Sequence, residues 1–339
     1  MEVKKKFSLK AFNTFGIDAK ASSFVEINHI SELSLIFSSL TQSNSPILIL
    51  GGGSNILFTK DFPGLVIKNN LKGIEISKED NDSVWIKAAS GENWHDLVLF
   101  SINQGLGGIE NLSLIPGTVG ASPIQNIGAY GVELKDVLEE VIALNIQTQE
   151  LEKFSNAACK FGYRESIFKK ERKDRYFITS IILKLAKKPT IKISYGAIEQ
   201  ILKNKKVEEI TVRDVSDAVI AIRQSKLPNP SELGNAGSFF KNPEITIEQF
   251  NLLKEEYPTI PHYPTSSPDL IKIPAGWLIE QCGWKGKRKG NAGVHTEQAL
   301  VIVNYGNASG QEIINLAQEI QNSVKVQFNI SLIPEVNIV

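Results

Sequence analysis

Apolar runs and amphipathic stretches alternate along the first part of the chain. Phe24 to Ile27 predicts a strand. Ile30 to Leu40 predicts a helix, with Leu33, Ile36 and Leu40 inward and Ser31 as N-cap, and Pro46 to Leu50 the next strand. Gly64 to Lys68, Gly73 to Ser77 and Val84 to Ala88 read as further strands. Gly91 to Gln104 reads as a helix that buries Trp94, Leu97, Val98 and Ile102 and stops at Gly105. Val137 to Asn145 and Phe177 to Leu185 are strands, and the basic, proline-containing Lys187 to Thr190 marks a domain boundary. Ile191 to Leu202 opens the second half. Helices are predicted at Val212 to Gln224, Ile247 to Tyr257, Pro274 to Cys282 and Gln311 to Phe328, and a buried strand at Ala299 to Val303. Trp284 to Gly293 reads as a solvated basic loop. Ile330 to Val339 reads as a last strand in which Glu335, an acid among aliphatics, must be exposed, paired or functional.

Two stretches break the pattern. Gly105 to Leu134 holds seven glycines and two prolines in thirty residues, with no helical period; only Leu112 to Ile115 reads as a short strand. A stretch this long and this poor in charge, yet rich in Ile, Leu, Val and Ala, predicts an ordered backbone wall against something flat or anionic. Glycine lets main chain approach a ligand and lets N–H groups converge on an anion. The second stretch is Pro46 to Phe58, PILILGGGSNILF, where a buried strand runs into a glycine turn and out into another apolar run. Ile56 occupies the third glycine position of a dinucleotide fingerprint and no helix follows. The Gly-Lys-Ser/Thr of a P-loop is missing. A strand–turn–strand nest for a pyrophosphate and a merely structural turn both remain open.

Composition narrows the class. The 339 residues suffice for two or three domains, and 37 basic against 37 acidic side chains leave no net charge that would favour nucleic acid or an anionic membrane. Cys159 and Cys282 stand far apart and the four histidines are scattered, so neither a disulfide framework nor a metal-ligand spacing is present. The opening MEVKKKFSLKAF lacks the apolar core of a signal peptide, and no apolar run reaches membrane-span length. A soluble cytoplasmic protein without membrane insertion is the expectation.

The motifs GGGSNILF, NTFGIDAKA, ENLSLIPGTVGASPIQNIGAYGVEL and FGYRESIFK resemble those of the UDP-N-acetylmuramate dehydrogenase family, also called UDP-N-acetylenolpyruvoylglucosamine reductase. The likeness runs from Asn13 to Glu335. It implies an α+β architecture: an FAD-binding fold of the vanillyl-alcohol-oxidase/PCMH type, then a C-terminal α+β substrate-binding domain. The expected division is 1–188 for the FAD-binding region (subdomains of about 1–70 and 71–188), 189–330 for the substrate domain, and 331–339 for a strand returning to the active site.

The resemblance further implies FAD as cofactor and NADPH as reductant of the enolpyruvyl double bond of a UDP-N-acetylglucosamine ether. Hydride would pass from NADPH to flavin N5 and on to C3 of the enolpyruvyl group. Leu50, Gly51, Gly52, Gly53, Ser54 and Asn55 would supply donors to the pyrophosphate. Ile115, Pro116, Gly117, Thr118, Gly120, Ala121 and Ser122 would line the flavin and its ribityl arm, continued by Gln125, Asn126 and Gly128. Arg164 would clamp the substrate carboxylate, since guanidinium matches carboxylate geometry. Glu335, as a neutral acid, would donate to the same group, and Ser238 would protonate C2. Lys226 and Tyr195 correspond to diphosphate-holding positions, and Asn242, Gln298 and Tyr163 to other substrate positions. The intact SYG around Tyr195 implies the form of the family whose tyrosine-bearing loop covers the substrate.

Taken without the family, these residues have plainer readings. Tyr163-Arg164-Glu165 could be a surface ion pair on a turn, and Arg223 to Lys226 could only complement a helix dipole. NAGSFFKNP is no hydrolase elbow, because Ala236 and Phe240 stand where G-x-S-x-G needs glycine. Another FAD oxidase of the superfamily, or a non-catalytic UDP-sugar or flavin-binding module, would account for the glycines but not for Arg164, Ser238 and Glu335 together.

Overall fold

The computed structural model describes residues 2–40 and 45–339. Contacts divide the chain into two compact units, neither continuous in sequence. One comprises 1–7, 21–52 and 63–225, the other 8–20, 53–62 and 226–339. The compact division therefore does not follow the expected boundary at 188/189.

The first unit holds two sheets. In the smaller, the strands run in the order Lys4–Ser8, Lys20–Ile27, Phe62–Asn69, Ile47–Leu50, the last two parallel. Helix α1 (Ser31–Leu40) covers it, with Leu33, Ile36 and Phe37 packed on Val25, Ile27, Leu65 and Ile67. Ser31 is the first helical residue rather than the cap. The Glu32 carboxylate takes the preceding N–H groups of Asn28 and His29, which holds its pKa below the usual value.

The larger sheet has five antiparallel strands in the order Leu151–Ser155, Leu138–Asn145, Tyr176–Ala186, Ser83–Ala89, Ile74–Glu79. Alternate residues of its central strand (Ile181, Leu183, Leu185) are buried, as period-two patterning requires. Helix α2 (Trp94–Asn103), capped by the Asn93 carboxamide, and the glycine-rich wall pack against these residues to form the main core. Helices α3 (Gly196–Leu202) and α4 (Val212–Lys226) bury Ile198, Val215, Val219 and Ile222 in a small core that Ile191, Ile193 and Tyr130 flank. That packing keeps the segment after Lys188 within the first unit.

Inside the wall, the expected strand at Leu112 to Ile115 is not formed. Glu110–Leu112 is a 3-10 turn and Leu114 has φ of 57°. The apolar run misled because side chains capture its backbone. Trp94 Nε1 donates to the Leu112 carbonyl (2.9 Å), Ser113 Oγ to the Glu110 carbonyl (2.7 Å), and the Leu114 N–H bonds His95 Nδ1 (3.0 Å). These bonds take ladder groups at Leu112 and Leu114.

In the second unit the order is Gly234–Ser238, Val301–Asn304, Ala292–Val294, Arg288–Lys289. Part of the expected basic loop is thus a hairpin. A three-stranded sheet joins Glu244–Thr246, Leu270–Lys272 and Tyr263–Pro264. Helices α5 (Ile247–Glu256), α6 (Ala275–Gln281) and α7 (Gly310–Phe328) complete it; α7 starts in a Ser309/Glu312 capping box and buries Ile313, Leu316, Ile320 and Val324. Residues 8–20 belong here because Asn235 donates its N–H to the Thr14 carbonyl (3.0 Å) and Asn304 its side-chain amide to that of Phe15 (2.8 Å). The terminal stretch is less regular than expected. Only Asn337–Ile338 is strand, parallel to Ile56–Leu57, preceded by a bridge between Phe240 and Pro334. Pro334, lacking an N–H, cannot serve a continuous ladder.

Candidate active site

The first unit brings the two glycine clusters together. Gly51 and Gly52 follow the strand Ile47–Leu50, and Gly52 lies so close to the wall that a Cβ there would be 3.0 Å from Gly117 Cα. At Gly51 a Cβ would overlap the Thr118 hydroxyl. Only glycine permits this approach. The result is a cradle of main chain at the carboxyl end of a strand, which suits a phosphate-bearing cofactor. Farther along the wall, Ser122 and Asn126 are buried and their side chains are engaged internally. Ser122 Oγ donates to the Val119 carbonyl, while Asn126 Nδ2 donates to Glu133 (2.9 Å) and to the Gly162 carbonyl (3.1 Å). These two positions shape the wall.

Arg164 stands on a tight turn in which Gly162 and Glu165 exchange N–H···O=C bonds, and its φ is 56°. Its guanidinium is carried back to the wall, donating to the Gly128 carbonyl at 2.7 Å, and lies 5.6 Å from the centre of the Tyr163 ring. The neighbouring Glu165 carboxylate pairs with Lys170. A side chain held by backbone carbonyls on a strained turn is oriented before any anion arrives.

Three residues that sequence reasoning missed join this cluster. Arg223 donates from Nε to the Leu114 carbonyl (3.2 Å) and meets the Tyr130 hydroxyl. Desolvation lowers its pKa against the pull of Tyr130, and the nearby Arg164 charge adds to the lowering. It is therefore no solvated dipole complement. Its partners are neutral, and two guanidinium groups face one neighbourhood. Burial raises the Tyr130 pKa although Arg223 opposes it, so the phenol stays protonated. Burial also lowers the pKa of His95, which agrees with a neutral imidazole whose Nδ1 accepts from Leu114. Arg223 and His95 are single polar residues of amphipathic helices and Tyr130 sits in a turn, and none of these positions gives a periodic signal. Cys159 is buried with its thiol pushed up to about 12, and so is no nucleophile.

Tyr195 precedes α3 and packs edge-on against Tyr130, ring centres 5.2 Å apart. Lys226 is the exposed last residue of α4.

The second unit aligns Ser238 and Glu335. Gly237 takes φ of 68°, and the ladder is irregular between Asn235 and Ser238; the Asn235 side chain accepts the Gly237 N–H (2.9 Å). Ser238 is left exposed opposite Val301. Glu335 donates its N–H to the Phe239 carbonyl at 2.8 Å, so the chain at Glu335 is fixed beside the residue that follows Ser238. The Glu335 carbonyl accepts from Asn55 Nδ2 (3.4 Å), while the Asn337 N–H bonds the Asn55 carbonyl (3.1 Å), so the end of the glycine turn is tied to the same segment. Asn242 and Gln298 meet at the amino end of α6. Asn242 Oδ1 accepts the Ala275 N–H (2.9 Å), and Gln298 Oε1 would lie 3.2 Å from a Cβ on Gly276. Among the described residues no His, Cys, Asp and Glu group could hold a metal ion, and no helix is long and apolar enough to cross a membrane.

Comparison with known proteins agrees with this layout. The FAD binding domain family model matches residues 21–150, and the UDP-N-acetylenolpyruvoylglucosamine reductase C-terminal domain model matches 229–339. The crystal structure of UDP-N-acetylenolpyruvylglucosamine reductase from Thermus caldophilus superposes with a TM-score of 0.70 at 23% identity, covering 100% of this chain and 99% of that one. The chain is thus an α+β protein with an FAD-binding domain over 21–150 and a C-terminal reductase-family domain over 229–339. Proteins named UDP-N-acetylenolpyruvoylglucosamine reductase are 54% identical in Flavobacterium johnsoniae and 50% identical in Amoebophilus asiaticus, each over 100% of both chains. One from Chromobacterium violaceum is 49% identical over 96% of both chains. The chain belongs to the UDP-N-acetylenolpyruvoylglucosamine reductase family.

Proposed function

We propose that this protein reduces UDP-N-acetylenolpyruvoylglucosamine to UDP-N-acetylmuramate with NADPH, as a cytoplasmic step of peptidoglycan precursor synthesis, and that it binds neither nucleic acid nor membrane. The observation that carries the reading is the backbone bond from the Glu335 N–H to the Phe239 carbonyl, which brings the chain at Glu335 alongside the residue that follows Ser238. FAD, when bound, supplies the relay of hydride between NADPH and the enolpyruvyl double bond. The backbone of Leu50 to Asn55 holds its pyrophosphate. Ile115 to Ser122, with Gln125, Asn126 and Gly128, shapes the wall for its ring and ribityl arm.

Reduction at C3 of the enolpyruvyl group leaves carbanion character at C2, spread into the adjoining carboxylate. Arg164 neutralises that developing charge with two directed donors. Arg223 adds a second, fixed positive charge on the same wall. Glu335 donates a hydrogen bond to the carboxylate, and Ser238 passes its hydroxyl proton to C2. A hydroxyl is a weak acid, but a carbanion-like carbon is basic enough for the transfer to run downhill. Tyr195 and Lys226 hold the diphosphate, with Tyr163, Asn242 and Gln298 on the remaining polar groups of the substrate.

The purified protein is expected to be yellow, to bleach with NADPH, and to regain its colour with the enolpyruvyl substrate far faster than with oxygen. Rapid reoxidation by oxygen and indifference to the substrate would place it among the oxidases instead. A second expectation concerns the nest. Gly52→Val forces side-chain carbons against Gly117, so the protein should come out largely colourless. The flavin-to-protein absorbance ratio, read beside a melting curve, checks it. A folded valine variant with stoichiometric FAD would remove the nest assignment.

A further inference from the structure

Asn111 lies within the 3-10 turn that precedes the Ile115 to Ser122 stretch, and it is fully buried. Its Nδ2 donates to the Lys192 carbonyl (2.9 Å) and to the Tyr130 carbonyl (3.2 Å). Its Oδ1 is buried without a hydrogen-bond partner. A buried acceptor left unmade is costly, and an apolar side chain of similar shape would avoid that cost. The carboxamide earns its place through its two donors, so what those donors join matters.

They join two segments distant in sequence. Tyr130, at φ of 50°, turns the chain at the end of the wall. Lys192 lies in the approach to Tyr195. Two further contacts bind the same segments: the Tyr195 ring rests edge-on against Tyr130 at 5.2 Å, and the Lys192 ammonium reaches Asp136 at 3.5 Å. Ile191 and Ile193 anchor the flanks in apolar contacts. The ammonium pair is exposed and contributes little, which leaves the buried carboxamide as the directional link.

We propose that Asn111 is a positioning residue for substrate binding: one buried amide latches the Tyr195 segment to the Tyr130 turn, so that the Tyr195 phenol is presented to the diphosphate in fixed register with the flavin wall. This rests on the reading of Tyr195 as a diphosphate ligand. A segment ordered before the substrate arrives loses less entropy on binding, so the latch acts on affinity and leaves the chemical step alone.

Steady-state kinetics of Asn111→Ala tests it. KM for UDP-N-acetylenolpyruvoylglucosamine should rise about tenfold, the order expected when one or two side chains must be ordered on binding, while kcat and FAD content stay near wild type. An unchanged KM overturns the latch. So does a fall in kcat and FAD content at constant KM, which is what a purely structural amide would give. Tyr195→Ala run in parallel separates the premise from the inference. If it leaves KM unchanged, the Tyr195 reading fails. If it raises KM while Asn111→Ala does not, only the latch fails. Should the alanine variant not fold, Asn111→Gln run through the same kinetics decides: the longer side chain misplaces both donors, so a raised KM is expected, and an unchanged KM overturns the proposal.

Discussion

Ser238→Ala should bind FAD normally, bleach with NADPH at close to the wild-type rate, and then recover its colour very slowly when the enolpyruvyl substrate is added. Reduction of the cofactor requires no proton at C2 of the sugar ether, whereas completing the product does. Loss of a positioned general acid costs about 100- to 10,000-fold, and that loss should fall on the second half-reaction alone. Ser238→Cys should recover part of it, because a thiol can also donate. The opposing view is that the hydroxyl merely satisfies backbone at the glycine bend. Its position argues otherwise: the bend is held by the Asn235 carboxamide, which takes the Gly237 N–H, and Ser238 itself is exposed. If the bend were the reason for the serine, alanine would cost about 1 kcal/mol of stability and leave both half-reactions alike. Stopped-flow flavin absorbance separates the two. Wild-type rates in both halves would mean that the proton comes from another group.

What the sequence disclosed and what it concealed divide along physical lines. The glycine stretches were legible because only close backbone approach explains so many glycines among aliphatics, and Gly51 and Gly52 do lie against Thr118 and Gly117. The sheet strands and long helices were legible because each buries one periodic face; Val215, Val219 and Ile222 on α4 are buried as read. Leu112 to Ile115 was misread because a four-residue stretch with three apolar side chains looks the same in a strand and in a turn whose carbonyls and N–H groups are taken by Trp94, Ser113 and His95. The compact units were hidden for another reason. Residues 8–20 and 53–62 are held by hydrogen bonds to the far end of the chain, and such long-range contact leaves no mark on local composition. Of the candidate site, the residues carried by long motifs were named in advance, while Arg223, Tyr130, His95 and Asn111 were not. Their roles come from where a backbone carbonyl or a phenol falls in space, and Arg223 in particular looks in sequence like any cation ending a helix.

Glu335→Ala should lower turnover by about 100- to 1000-fold, the usual cost of removing one donor aimed at developing negative charge. Glu335→Gln should keep more of the activity, because an amide can still donate to an enediolate-like carboxylate. The structure makes this comparison clean. The backbone of Glu335 is held by its own N–H on the Phe239 carbonyl, by the bridge between Pro334 and Phe240, and by Asn55 on its carbonyl. None of these three backbone bonds uses the carboxyl group, so all three can persist in the alanine variant. Melting temperature and FAD content should therefore stay near wild type in both variants while turnover separates them. The order of the three proteins carries the chemical information. Wild type above glutamine above alanine identifies a hydrogen-bond donor. Glutamine as inactive as alanine would indicate that the acid must release its proton, and would transfer to Glu335 the protonation of C2 assigned to Ser238. Wild-type turnover in the alanine variant would make Glu335 structural, and the carboxylate would then be held by Arg164 without it.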